Sequence, residues 1–247
     1  MQNRMYFEDA LKDQAQSLKW IAALVLAGLI VLLVGMRLMP ESSTPLLAKV
    51  MSLLCPTIAT AAFGTYIGRR LSGFFPFIGL LIVSIIGIFI VRAAGGSIVA
   101  TPLLLGWGFV NGMMLGPLVG FALAEDGPQV VVQALVGTTA VMLVAAFVAL
   151  ATGINFSFLW PVLFLGLIGL IIMGLVSIFV RFSRTVNLVY SIFGMIVFGG
   201  YFLFDFFRLG QSTNTWERAT QLTLSLYLDF ANFFIYLLQF LLLSRRR

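Results

Sequence analysis

The sequence predicts an all-α fold, a polytopic bundle of membrane-spanning helices, and three observations carry that reading. Hydrophobic residues fill 61% of the 247 positions and charged residues only 10%, where a soluble domain has about 45–50% and about 25%. The apolar residues are gathered into runs of about twenty, the length that crosses a bilayer core as a helix. Short breakers of Gly, Pro, Ser and charge separate those runs, and no polar stretch is long enough for a soluble domain.

Eight runs satisfy the length requirement, at 20–39, 46–68, 74–92, 100–124, 129–151, 157–180, 186–209 and 219–243. "MPESSTP" ends the first and "GRRLSG" the second, which Pro56 is expected to kink. "AAGGS" ends the third. "EDGP" ends the fourth, placing Glu125 and Asp126 in a solvated loop. "TGINF", "RFSR" and "GQSTNTWE" close the next three, the last placing Glu217 in a loop. Every connection is short, so neighbours run antiparallel. "GMMLG" at 112–116 has the spacing of tight helix packing, and Gly199–Gly200 reads equally as a hinge or as close packing. "NFS" at 155–157 lies too near the membrane to serve as a glycosylation acceptor. "SRRR" at the C-terminus reads as a stop-transfer anchor.

Composition also excludes chemistry. The chain has no histidine and one cysteine, Cys55, which removes internal disulfides, thiolate clusters and His-based zinc sites or general bases. An enzyme is not expected, nor a resident cofactor. The net charge of +6 forms no basic face, so nucleic acid is not expected as a partner and the lipid bilayer is. The N-terminus mixes both signs of charge before its first apolar run and does not read as a cleavable signal. With eight spans, one side of the membrane collects Arg4, Lys12, Lys19, Arg69, Arg70, Arg181, Arg184 and Arg245 to Arg247, and the other Arg37, Lys49, Arg92, Arg208 and Arg218. That bias puts both termini in the cytoplasm.

Two acidic residues fall inside apolar runs, Asp205 in "YFLFDFFRL" and Asp229 in "SLYLDFANFF". Ionisable groups at that depth are costly and mark function or specific pairing. At 100° per residue, Gln221, Ser225, Asp229, Asn232, Tyr236 and Gln239 share an arc of about 80°. The other face is Leu, Phe and Ile, so one face is expected to meet lipid. In the preceding helix, Asn187, Tyr190, Ser191, Gly194, Tyr201, Asp205 and Arg208 share about 100°. The two carboxyls reach one level if the first turns of the last helix, "TWERATQLT", protrude from the bilayer. Two carboxylates in a low-dielectric site cannot both ionise cheaply and share a proton across coupled steps. They also suit a hard cation such as calcium, with Asn232, backbone carbonyls or water completing its shell. The alternative is interhelical glue, satisfied by Asn, Ser and Tyr.

The segments bearing these aspartates, "SLYLDFANFFIYLLQFL" at 225–241 and "VYSIFGMIVFGGYFLFD" at 189–205, resemble the last two helices of the transmembrane Bax inhibitor motif family. "GWGFVNGMMLGPLVG" at 106–120 resembles its third helix and "FSFLWPVLFLGLIGLIIMGLVSIF" at 156–179 its fifth, so the likeness covers about 45–243. The resemblance implies a seven-helix core over 45–247, with residues 1–44 carrying one additional N-terminal transmembrane helix. It implies a pH-sensitive calcium leak channel, as bacterial members are described, in the bacterial inner membrane. Eukaryotic relatives temper cell death and calcium release from the endoplasmic reticulum.

By the same resemblance, Asp205 and Asp229 are the pH sensor, and Arg92, closing "IGIFIVRAAGG", is the cationic latch on Asp205. The chain departs from the family in "DFFRL", in Gln239 where Arg is common, and in the extra helix. Arg208, one turn from Asp205, is therefore a second latch candidate. Because of the extra helix, the charge bias places Asp205 toward the outer face, whereas the family's dyad lies nearer the cytoplasm.

The expectation is a channel for calcium or other cations, gated by protons at Asp205 and Asp229. In its closed state an ionised Asp205 pairs with Arg92 or Arg208, until protonation or calcium binding frees the helices. Ser225, Asn232, Tyr201 and Tyr236 form the supporting polar stripe. Two alternatives remain open: a proton-coupled transporter of a small solute, and a non-conducting regulator that binds membrane proteins such as stress proteases.

Overall fold

The computed structural model describes residues 44–71 and 73–245. The apolar run at 20–39 and the basic residues Arg4, Lys12, Lys19, Arg37, Arg246 and Arg247 lie outside them. Among the described residues, seven helices are long and apolar enough to cross a membrane. They are α1 (Leu46–Gly68), α2 (Phe74–Ala94), α3 (Ala100–Asp126), α4 (Pro128–Ala151), α5 (Leu159–Phe179), α6 (Arg184–Gly210) and α7 (Trp216–Arg245), with a single 3₁₀ turn at Phe156–Phe158 before α5. The chain is a multi-pass integral membrane protein, all helical as its composition predicts.

The helix ends follow local chemistry. Gly127, at φ 73°, breaks the chain after Asp126, and Pro128 starts α4 with its fixed φ. Glu125 and Asp126 are therefore the last turn of α3, where a loop was expected. Glu217 likewise belongs to the first turn of α7, where an acidic side chain suits the helix dipole. Asn155 caps the 3₁₀ turn by accepting from Ser157 N at 2.9 Å. Helix α1 runs through Pro56 without interruption.

The tightest helix pair is α1 against α3, held by glycines spaced one turn apart. A methyl on Gly112 would overlap the carbonyl of Ala61, one on Gly116 the backbone of Gly68, and one on Gly64 the carbonyl of Phe109. Backbones meet because no side chain stands between them, and Thr65 seals the contact by donating to Ala61 O at 2.9 Å and Gly112 O at 3.0 Å. Gly200 admits Leu163 of α5 and Gly194 admits the Tyr236 ring, so both mark close packing within a continuous α6.

Helix α7 is the centre of the bundle, in contact with α1, α2, α3, α4 and α6. Leu222, Leu224, Leu226, Tyr227 and Leu238 are almost fully buried, and no large apolar residue of α7 is exposed. The expected lipid-facing side of this helix therefore faces protein. Its apolar face packs on α1, α3 and α4 while its polar face meets α6. Helices α2 and α5 take the lipid-facing positions, with Phe75, Phe89, Val162, Leu165 and Phe179 outward.

Candidate functional site

The candidate site lies between the C-terminal third of α6 and the middle of α7. Ser183 starts α6 by accepting from Val186 N at 3.3 Å, and the polar stripe of α6 turns toward α7. The connection 211–215 is tied down at both ends. Ser212 donates to Arg208 O at 2.6 Å and accepts from Arg218 Nε at 2.9 Å, while Arg218 also donates to Gln221 Oε1 at 3.1 Å. The first turns of α7 are packed under the ends of α1 and α2. Thr220 donates to Gly95 O at 3.1 Å and Thr223 to Val50 O at 3.4 Å.

This register brings the two aspartates together. Both are buried, 3% and 6% exposed, among Phe202, Phe206, Phe230 and Phe233. Their carboxyl groups lie close enough to interact with each other, and Ser225 stands beside Asp205. Arg208 Nη1 donates to Asp205 Oδ1 at 2.9 Å, and its charge faces Asp229 as well. The arginine head stays one-third exposed, leaning over the Phe204 ring at 5.5 Å. Tyr201 stands near both carboxyls. Asp229 Oδ2, by contrast, is buried and meets no donor among the described residues.

Ionised carboxylates carry acceptors only. Two of them side by side repel unless a proton or a cation lies between them, and removing both from water as anions costs several kcal/mol for each. One proton shared between Asp205 and Asp229 would supply the missing donor. Arg208 then balances the single remaining charge.

The other predicted residues fall elsewhere. Arg92 is exposed at the end of α2, and no bond joins it to Asp205 among the described residues. Asn232 donates to Leu228 O of its own helix at 2.7 Å. Tyr236 bonds Tyr190 hydroxyl to hydroxyl at 3.1 Å, and Tyr190 donates on to Leu170 O at 2.9 Å. No group of three His, Cys, Asp or Glu that could hold a metal ion occurs among the described residues. A calcium ion at the dyad would draw on two carboxylates, Ser225 and water. Sequence reasoning missed Lys49, which is fully buried at the same end of the bundle, with Nζ on Asn214 O at 3.3 Å and over the Trp216 ring at 5.3 Å. Its only signal was a lysine four residues into an apolar run.

Comparison with known proteins agrees with this architecture. The family described as "Inhibitor of apoptosis-promoting Bax1" matches residues 43–247. The chain is 38% identical over 142 residues to an uncharacterised membrane protein of Vibrio cholerae, covering 55% of this chain and 61% of that one. It is 36% identical over 140 residues to a Golgi anti-apoptotic protein of vaccinia virus, covering 53% and 58%. It is 34% identical over 123 residues to Protein LIFEGUARD 4 of Arabidopsis thaliana, covering 49% of each. The aligned stretch thus spans between half and three fifths of these relatives. With seven membrane-length helices and a family match over all the described residues, the chain belongs to the Bax inhibitor family of integral membrane proteins.

Proposed function

We propose that the protein is a proton-gated leak channel for calcium or a similar cation, without enzymatic activity, and that Asp205 and Asp229 are its gate. The observation that carries this reading is the burial of the two interacting carboxyls between α6 and α7, with Asp229 Oδ2 meeting no hydrogen-bond donor among the described residues. Arg208 makes its hydrogen bond to Asp205 on its own helix. At the level of the dyad, the tie between the helices is the shared proton. While it is in place, apolar side chains around the dyad close the passage. When it leaves, two anions face each other in a low-dielectric interface and repel, and the helices part. The exposed ionised pair then offers a hard cation two oxygen ligands, with water completing a shell of six to eight.

The sign follows. The closing bond is present where one proton is bound and is lost as pH rises, so flux increases with pH, the reverse of the direction expected from the sequence, in which protonation frees the helices. The likeness to a bacterial membrane protein supports a bacterial plasma membrane as the setting. The test is calcium efflux from liposomes holding the purified protein, measured across pH. Flux that rises with pH without saturating supports the channel. Saturable uptake of a solute driven by a pH gradient would mark a proton-coupled transporter instead. Absence of flux at every pH would leave a non-conducting partner of other membrane proteins.

A further inference from the structure

On the face of α7 opposite the dyad, a groove of about 260 Å³ opens between α1, α3, α4 and α7. Its walls are hydrocarbon along nearly their whole length. Ala61, Ala62 and Ala231 are too small to fill the space between Val119, Val131 and Phe230. The Thr65 hydroxyl at its side is already engaged with two backbone carbonyls. Such a lining offers a hydrated cation nothing, which separates it from the proposed gate. Ile58 stands at the inner end and Arg69 at the mouth, about 16 Å apart along α1 at 1.5 Å per residue. Tyr227 also lines the inner end, and its hydroxyl has no hydrogen-bond partner among the described residues.

The mouth differs in chemistry. There the groove runs into a second, polar hollow that shares Tyr66, Arg69 and Leu123 and adds Arg70. Arg69 leans over the Tyr66 ring at 4.3 Å, and both arginines are exposed. Neither guanidinium makes an ion pair among the described residues. An apolar slot about as long as an acyl segment, ending at two unpaired cations at the membrane edge, matches one kind of molecule. We propose that the groove binds an acidic membrane lipid, one acyl chain lying between the four helices and the anionic headgroup resting on Arg69 and Arg70.

The test uses the full-length protein in nanodiscs of phosphatidylcholine doped with phosphatidylglycerol that carries a photoreactive acyl chain. Labelled peptides are then mapped by mass spectrometry. Label is expected on 115–123 and 230–234, and the double variant Arg69→Gln/Arg70→Gln should lower it at least about fivefold. Arg69→Lys/Arg70→Lys should retain it, because the charge remains. Asp205→Asn should leave it unchanged, since the dyad lies across α7, so the outcome is independent of the gate. Equal labelling by photoreactive phosphatidylcholine, indifference to the arginine variant, or label confined to outward α2 and α5 would overturn the proposal. So would efficient cysteine crosslinking of the run at 20–39 to position 231, which would make the chain itself the occupant.

Discussion

Arg208 and Asp205 are joined at 2.9 Å across one turn of α6, so the arginine neutralises an aspartate on its own helix. An intrahelical pair sets the charge state of a site without fastening two helices together. At the level of the dyad, a bond between α6 and α7 therefore involves Asp229. Removing the arginine should leave the fold intact and change the titration. Arg208→Gln deprives the ionised Asp205 of its counter-charge, so the flux–pH curve should move upward by at least about one pH unit. Arg208→Lys should move it less. Calcium efflux from liposomes measured in half-unit steps checks both.

The glycine seam between α1 and α3 should tolerate no side chain. Gly112→Leu forces the backbones apart and should cost about 3 kcal/mol or more, read as a loss of thermal stability in detergent. Gly106, on the same helix, has open space around its Cβ position. Gly106→Ala should be neutral or mildly stabilising, as the better helix former.

Lys49 holds the α6–α7 connection through Asn214 O and the Trp216 ring. Lys49→Ala removes the charged hydrogen bond that a buried ammonium donates to the Asn214 carbonyl and should cost about 2 kcal/mol. Hydrogen exchange at 211–215 should quicken, because that connection loses its anchor.

The Tyr190–Tyr236 bond lies on the stripe but away from the dyad. Tyr236→Phe should lower stability by about 1 kcal/mol and leave the flux–pH curve where it was. A shift of that curve would mean that the polar stripe acts as one unit.

Much of this arrangement was legible beforehand. Hydropathy located all seven described spans, because a bilayer demands long apolar runs. Helical projection placed Asp205 and Asp229 on facing stripes, since the period of a helix is fixed. The central position of α7 was not legible. Leu222, Leu224 and Leu226 would serve equally against lipid or protein, so an apolar face does not say which it meets. The choice between Arg92 and Arg208 depended on how far α2 stands from α6, which no local pattern encodes. Lys49 looked like a boundary residue because its partner is 165 positions away. The seam was half visible: 112–116 stood out, but its complement at Gly64 and Gly68 showed only when α1 was set against α3.

The claim that one proton shared by Asp205 and Asp229 closes the channel is tested most directly by flux in Asp229→Asn. Its amide donates permanently to Asp205 and cannot lose the closing hydrogen at any attainable pH. Calcium efflux from liposomes should therefore be low and flat across the range in which wild-type flux rises with pH. A variant whose flux follows the wild-type curve would contradict the account.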